Sequence, residues 1–196
     1  MKNEYNNLKR EKILKEIVKN EWYFFTNVNN IKKRSYCQDD SQTFIFSRLC
    51  YWGIYNDIIL NSYLNDLIDA KNNNRNLVTE KYAYMMQYTD PSYYKSIEHK
   101  LPKISAFKSN IINSIMLIYM SWEEDIKNKN SKLLDNNRDL YNQSISTGQT
   151  TIEQYFKGEL TSYSESTLNL ILKYYLSAYN KGINLVERNL NNLHQL

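Results

Sequence analysis

Apolar positions recur at helical spacing over most of the chain. Leu14, Val18, Trp22 and Phe25 fall at i, i+4, i+8 and i+11, one face of a helix, so residues 6 to 30 read as a first helix. Lys9, Arg10, Lys12, Lys15 and Glu16 take its other positions, and a basic, irregular link over 29 to 36 follows. Asp39 with Gln42 has capping-box spacing, which starts a second helix at Asp39, Asp40 or Ser41 and lets it run to about Lys71. Gly53 lies inside that helix at a cost of roughly 1 kcal/mol against Ala, and marks a kink or a close packing point. Asn72-Asn73-Asn74-Arg75 ends it.

A third helix is expected over 77 to 88. Asp90-Pro91 then reads as N-cap and first residue of a short helical turn through Glu98, before Pro102 breaks the chain. A fourth long helix over 103 to 128 has Ile104, Phe107, Ile111, Ile115, Ile118 and Trp122 as its core stripe. The polar stretch up to Gly148 is expected to be a long loop with one helical turn near Leu133. Thr150-Thr151-Ile152-Glu153 has the pattern of a capping box and opens a short helix to about Leu160. Ser162-Tyr163-Ser164-Glu165 repeats the device and opens the last helix, to about Leu193, with Leu168, Leu172, Tyr175, Tyr179, Ile183, Val186 and Leu190 as its stripe. No repeat or linker divides the chain. The expected fold is all-α: one domain built as an irregular bundle of four long helices plus two or three short ones.

Composition supports this. Gly and Pro number only 4 and 2, too few for the many turns of a sandwich or barrel. Tyr is abundant, at 18 residues, and a buried Tyr needs a partner for its hydroxyl. A Tyr-rich helical core therefore carries internal hydrogen bonds or lines a polar pocket; ordinary core and rim packing is the plainer reading. The net charge of +4 is spread out, clustering only at Lys9 to Lys15 and Lys32-Lys33-Arg34, and lacks the dense stripe of a nucleic-acid interface. Cys37 and Cys50 form no CxxC or Cys/His cluster, which excludes a structural zinc site. The first residues lack the apolar core of a signal peptide, and no window approaches the roughly 20 apolar residues of a membrane span. The expectation is a cytoplasmic protein with reduced thiols and no membrane partner.

Familiar catalytic patterns are missing. Neither His99 nor His194 follows a Glu by three, as a ferritin-like metal site requires, and no metal site is expected. No Gly-rich phosphate loop or Gly-x-Ser-x-Gly elbow occurs, and no motif points to flavin, haem or nicotinamide, so the cofactor stays open. Glu123-Glu124-Asp125 reads as a solvated helix end.

What remains is a set of polar residues embedded in apolar and aromatic stretches. Arg48, Trp52, Tyr55, Ile59, Tyr63 and Asp66 follow one helical stripe, with the two charges either ending a buried face or lining a pocket. Cys37-Gln38-Asp39 precedes a helix start, where backbone N–H groups favour an anion; a half-buried Cys beside a capping Asp is the plainer reading. Glu80-Lys81-Tyr82 puts a carboxylate, an amine and a phenol on one turn, or else is a surface Glu/Lys pair. Glu159 falls near the C-terminal end of a short helix, where the macrodipole disfavours an acid, and so calls for a partner such as Arg48, Arg75 or Lys81.

Glu21-Trp22 with Phe25, Cys37-Gln38-Asp39, Thr43-Phe44, Ser62-Tyr63 and Asp66-Leu67 open a longer pattern. It continues through Arg75-Asn76-Leu77, Glu80-Lys81-Tyr82-Ala83, Met85-Met86, Thr89, Pro91, Gly158-Glu159-Leu160, Tyr163-Ser164 and Thr167-Leu168. In order and spacing this resembles the bacterial domain-of-unknown-function family 4125, from about residue 21 to 175. The chain departs from it at Leu77-Val78, where members commonly show Leu-Met, and in the basic stretch before Cys37. The resemblance implies a small stand-alone bacterial protein, at times found with a nucleotidyltransferase-like companion, and no established reaction.

These residues lead to an expected function: a small-molecule enzyme or ligand-binding helical domain with a polar, Tyr-lined pocket for an anionic ligand. Arg48 and Arg75 would hold the anion by bidentate bonds, with Glu80 or Glu159 as acid/base and Lys81 and Cys37 completing the catalytic set. Tyr63 and Tyr82 would orient the ligand, alongside Asp66 and Gln38. The alternative is a non-catalytic subunit docking through a Tyr-rich surface on a companion protein such as a nucleotidyltransferase-like enzyme. A third reading makes the charges a purely structural network, with Arg48 paired to Glu159 or Glu80.

Overall fold

The computed structural model describes residues 2–28, 36–129, 140 and 150–194. Among them the chain forms nine α-helices and no strand: α1 (Lys2–Thr26), α2 (Ser41–Gly53), α3 (Asp57–Asn72), α4 (Leu77–Thr89), α5 (Pro91–Ile97), α6 (Ala106–Lys129), α7 (Ile152–Ser162), α8 (Glu165–Asn180) and α9 (Leu185–Leu193). The all-α expectation holds. The number of long helices does not, because two expected helices are each broken in two.

The first break follows Gly53. Asn56 caps α3, its side chain accepting from the Ile59 N–H at 3.1 Å. The carbonyls left open at the break find side-chain donors from elsewhere. Arg10 of α1 donates to the oxygens of Gly53 at 2.9 Å and Tyr55 at 2.7 Å, and the Tyr174 hydroxyl donates to that of Ile54 at 2.7 Å. Partners from α1 and α8 thus satisfy the orphan groups that make a mid-helix break costly. The second break is at Gly182, whose φ of 66° is left-handed. The Ile183 N–H bonds back to Ala178 and that of Gly182 to Tyr179, and Asn184 starts α9 by accepting from Val186 and Glu187. This is a glycine helix stop, which apolar periodicity alone runs straight through.

Caps set the other boundaries. Asp40 caps α2, accepting from Thr43. Asp90 caps α5 with Pro91 at its start, as expected. The capping box of α7 pairs Thr151 with Gln154, one residue later than Thr150 and Glu153. Ser164, not Ser162, caps α8. The core stripe of α6 begins at Ile111, while Ile104 and Phe107 are 43% and 58% exposed. The basic link lies outside the described residues except for Tyr36, as does the turn expected near Leu133; Leu140 is buried.

The buried face of α1 is Ile13, Ile17, Glu21 and Phe24, the expected stripe moved by one residue, with Val18 and Phe25 beside it. It packs against α2, α3 and α4; α4 packs on α7, and α6 on α7, α8 and α9. One cluster of buried side chains runs through these helices, with Trp52, Tyr55, Tyr163 and Tyr175 among its largest members. Closest approach falls at Gly158 of α7: a Cβ there would lie 2.7 Å from Met85 Cγ and 3.1 Å from the Lys81 carbonyl oxygen. Its missing side chain brings Glu159 within reach of Lys81. Among the described residues, no helix is long and apolar enough to cross a membrane.

Candidate functional site

A buried ion network lies where α1, α2, α4 and α7 converge. Glu21, Lys81 and Glu159 are 2%, 7% and 4% exposed, so their charges are effectively out of water. Arg48 reaches Glu21 in bidentate fashion, Nε to Oε2 at 2.8 Å and Nη2 to Oε1 at 2.7 Å. The same Nη2 donates to Glu159 Oε1 at 2.7 Å, and Lys81 Nζ donates to Glu159 Oε2 at 2.7 Å. Two cations thus face two carboxylates.

Aromatic donors complete both carboxylates. Glu21 Oε1 also accepts from Trp52 Nε1 at 3.0 Å and the Tyr63 hydroxyl at 2.9 Å. Glu159 Oε1 accepts from the Tyr163 hydroxyl at 2.8 Å. The Arg48 guanidinium lies 4.5 Å from the Tyr51 ring centre, and Lys81 Nζ 3.6 Å from that of Tyr155. Trp52 and Tyr63 stack at 4.0 Å, fixing the donors of Glu21.

The electrostatics follow from this shell. Burial pushes the Glu159 carboxyl up, but Arg48 and Lys81 outweigh it and hold it well below the usual carboxylate range. Burial pulls Lys81 down, and Glu159 more than reverses this, so the ammonium sits above its ordinary value. Both stay charged at any physiological pH. The hydroxyls of Tyr51, Tyr63 and Tyr163 are pushed well up, first by burial and then by neighbouring carboxylates. They act as neutral donors.

The expected site residues divide into three groups. Arg48, Lys81, Glu159 and Tyr63 meet in the network, and Tyr82 lines the small cleft of about 40 Å³ beside it. Arg75 and Glu80 form a separate local pair, Nε to Oε1 at 2.8 Å and Nη2 to Oε2 at 2.7 Å, across the α3–α4 connection. Glu80 and Lys81 are therefore both buried but serve different partners. Asp66, Gln38 and Cys37 lie apart. Asp66 accepts from the Ser164 N–H at 3.0 Å, holding the start of α8, and its carboxyl is raised by burial against that bond. Gln38 Nε2 donates to the carbonyls of Phe25 at 2.7 Å and Val28 at 3.2 Å, closing the end of α1. Cys37 is exposed on the short 3-10 turn of residues 36–38.

Two acids matter that no motif singled out as chemistry. Glu21 is the hub of the network; the sequence marks it only beside Trp22 in the family-like pattern, and it lies four residues after Ile17 on the buried face of α1. Glu123, expected in a solvated helix end, is 3% exposed. It falls on the face of α6 that carries Ile115, Met116, Trp122 and Ile126, one turn after Tyr119; burial raises its carboxyl, and the nearby Tyr119 hydroxyl offsets part of that rise. It lines a cleft of about 270 Å³ between α2, α6, α7 and α9, whose walls include Tyr51, Tyr155 and Phe156. Arg48 and Glu159 border both clefts.

A family model described as "Protein of unknown function (DUF4125)" matches residues 11–196. The chain belongs to this family. The match extends beyond the 21–175 stretch that carries the motif resemblance, taking in α9 and most of α1. No curated protein and no solved structure matches the chain. Among the described residues, no group of three or more His, Cys, Asp or Glu is placed to hold a metal ion.

Proposed function

We propose that this DUF4125 chain is a small-molecule-binding helical domain whose ligand occupies the larger cleft, against the Arg48–Glu159 pair. The observation that carries the reading is the position of that pair. Desolvating ions costs several kcal/mol each even after relaxation, and well-packed apolar residues of similar volume are often as stable or more so. A network kept for stability alone needs no cleft on either side of it. Here Arg48 and Glu159 instead form the wall between two clefts.

The distribution of Tyr supports the same reading. Tyr51, Tyr63, Tyr155 and Tyr163 surround the network, while the strongly exposed Tyr23, Tyr36 and Tyr179 lie on separate elements. Exposed apolar side chains such as Ile58 and Leu117 are likewise found on different helices, and single exposed apolar residues are ordinary for a protein surface. Charge balance separates this proposal from an anion site. Arg48 is matched by Glu21 and Glu159, and Arg75 by Glu80, so neither offers unbalanced positive charge. A proton-transfer role in this cleft would belong to Glu123, whose carboxyl burial raises, rather than to Glu159, which Arg48 and Lys81 keep ionised near neutral pH.

The test is thermal unfolding of the purified chain with the dialysable small-molecule fraction of host cells. Asn189→Phe, which fills the cleft from α9, is the control. The fraction should raise the Tm of the wild type by several degrees and leave the variant unchanged. Equal responses of the two proteins would overturn the assignment.

A further inference from the structure

We infer that the larger cleft selects a small organic cation, an amine or related N–H donor carrying one positive charge. The inference rests on the binding reading above and names the ligand class for that site. Two residues that line the cleft each carry a buried hydrogen-bond acceptor without a partner, Glu123 Oε2 and Asn189 Oδ1. Leaving such an atom unmade costs about 1–3 kcal/mol, more for a charged group, so native structures satisfy nearly all of them. Both orphans accept; neither calls for an acceptor on the ligand.

The charge count agrees. Around the cleft wall Arg48 and Lys81 are used up by Glu21 and Glu159. Glu123 is then a third carboxyl group, and among the described residues no cation stands by to balance it when it ionises. One positive charge is missing, and the ligand would supply it. The surroundings favour an organic cation over a metal ion: no described group of three His, Cys, Asp or Glu could ligate a metal. The walls include the rings of Tyr51, Tyr155 and the stacked pair Tyr119–Phe156, 3.9 Å apart. Such faces attract an organic ammonium through the ring quadrupole. A volume near 270 Å³ lies just below the range of drug-sized sites, which points to a small ligand.

The probes are three molecules of one shape: n-butylamine, n-butanol and sodium butyrate, titrated against the wild type, Glu123→Gln and Asn189→Phe while Tm and binding heat are read. Glu123→Gln keeps the side-chain volume, removes the charge and replaces one acceptor oxygen by an amide N–H donor. Butylamine should bind the wild type saturably at millimolar concentration, at least tenfold better than butanol, with butyrate excluded. Glu123→Gln should lose that tenfold preference, and Asn189→Phe should lose binding altogether. Saturable binding of butanol or butyrate equal to or tighter than that of butylamine overturns the cation inference while leaving the cleft as a ligand site. Butylamine binding that survives Asn189→Phe overturns the location. Absence of any saturable binding overturns the cation inference, and the host-extract experiment above then decides separately whether the cleft binds anything. If Asn189→Phe does not fold, Asn189→Leu serves in its place.

Discussion

Arg48 and Glu159 are 111 residues apart in sequence, yet their side chains meet at 2.7 Å, and the other oxygen of the same carboxylate holds Lys81. One acid from α7 thereby ties α2 to α4. The placement of Glu159 near the end of α7, where the helix dipole opposes it, is offset by two cations rather than by solvent.

Removing that charge should therefore be expensive. Glu159→Gln keeps the shape but leaves Arg48 and Lys81 short of a counter-charge in the interior. We expect a loss of about 3–5 kcal/mol in urea unfolding, as for other broken buried pairs. A loss under about 1 kcal/mol would mean the ions are far better hydrated than the geometry implies.

The two buried acids make opposite contributions to pH dependence. Glu159 titrates below its ordinary value of 4.5, because Arg48 and Lys81 outweigh burial. Its stabilisation is present above pH 4.5 and is lost as pH falls toward the folded value. Glu123 titrates above 4.5, raised by burial against the Tyr119 bond. Its contribution is complete below pH 4.5 and is lost as pH rises through the folded value. A series of Tm values against pH should show Glu123→Gln gaining on the wild type toward neutral pH, and Glu159→Gln losing the wild type's fall in acid. Parallel curves for all three proteins would contradict both assignments.

Gly158→Ala should destabilise, although Ala in a helix interior is ordinarily worth up to about 1 kcal/mol over Gly. The new Cβ would press on Met85 Cγ at 2.7 Å and on the Lys81 carbonyl at 3.1 Å. Side-chain movement can relieve the first contact but not the second. We expect a net cost of about 1–3 kcal/mol by chemical denaturation; a gain would show that α4 and α7 can separate freely.

Gly53 and Gly182 should respond differently to the same change. Nothing lies within 4 Å of a Cβ at Gly53, in the last position of α2, so Ala there should be neutral or stabilising by a few tenths of a kcal/mol. Gly182 holds a left-handed φ of 66°, and Ala there should cost about 1–2 kcal/mol. Comparing the two Tm values decides this; equal effects would argue against a glycine stop between α8 and α9.

Much of this architecture was legible in the residue pattern, and the exceptions have physical causes. The starts of α2, α5 and α7 were found to within a residue or two because a capping side chain is a local signal, as at Asp40, Asp90 and Thr151. Gly53 was marked only as a kink or packing point and Gly182 not at all, since the full break after Gly53 depends on Arg10 and Tyr174 arriving from other helices. That Glu159 needs a cationic partner followed from a charge placed against its own helix dipole, with Arg48, Arg75 and Lys81 as candidates; Arg48 and Lys81 take the place, while Arg75 pairs with Glu80. The hub Glu21 could not be picked out: the stripe through Leu14, Val18, Trp22 and Phe25 is wholly apolar, while the true one interrupts Ile13, Ile17 and Phe24 with that acid, so periodicity points to the wrong face and packing decides. Glu123 was lost among Glu124 and Asp125, because three neighbouring acids look solvated until one of them turns toward the core.

The most direct test of the central claim is the native mass spectrum of the chain freshly purified from its own host cells, beside that of Asn189→Phe. A bound small molecule should appear as a stoichiometric added mass on the wild type and be absent from the filled variant. The same clean mass for both proteins, with no adduct on either, would contradict a ligand in the cleft and leave the Glu21–Arg48–Glu159–Lys81 network as a structural tie.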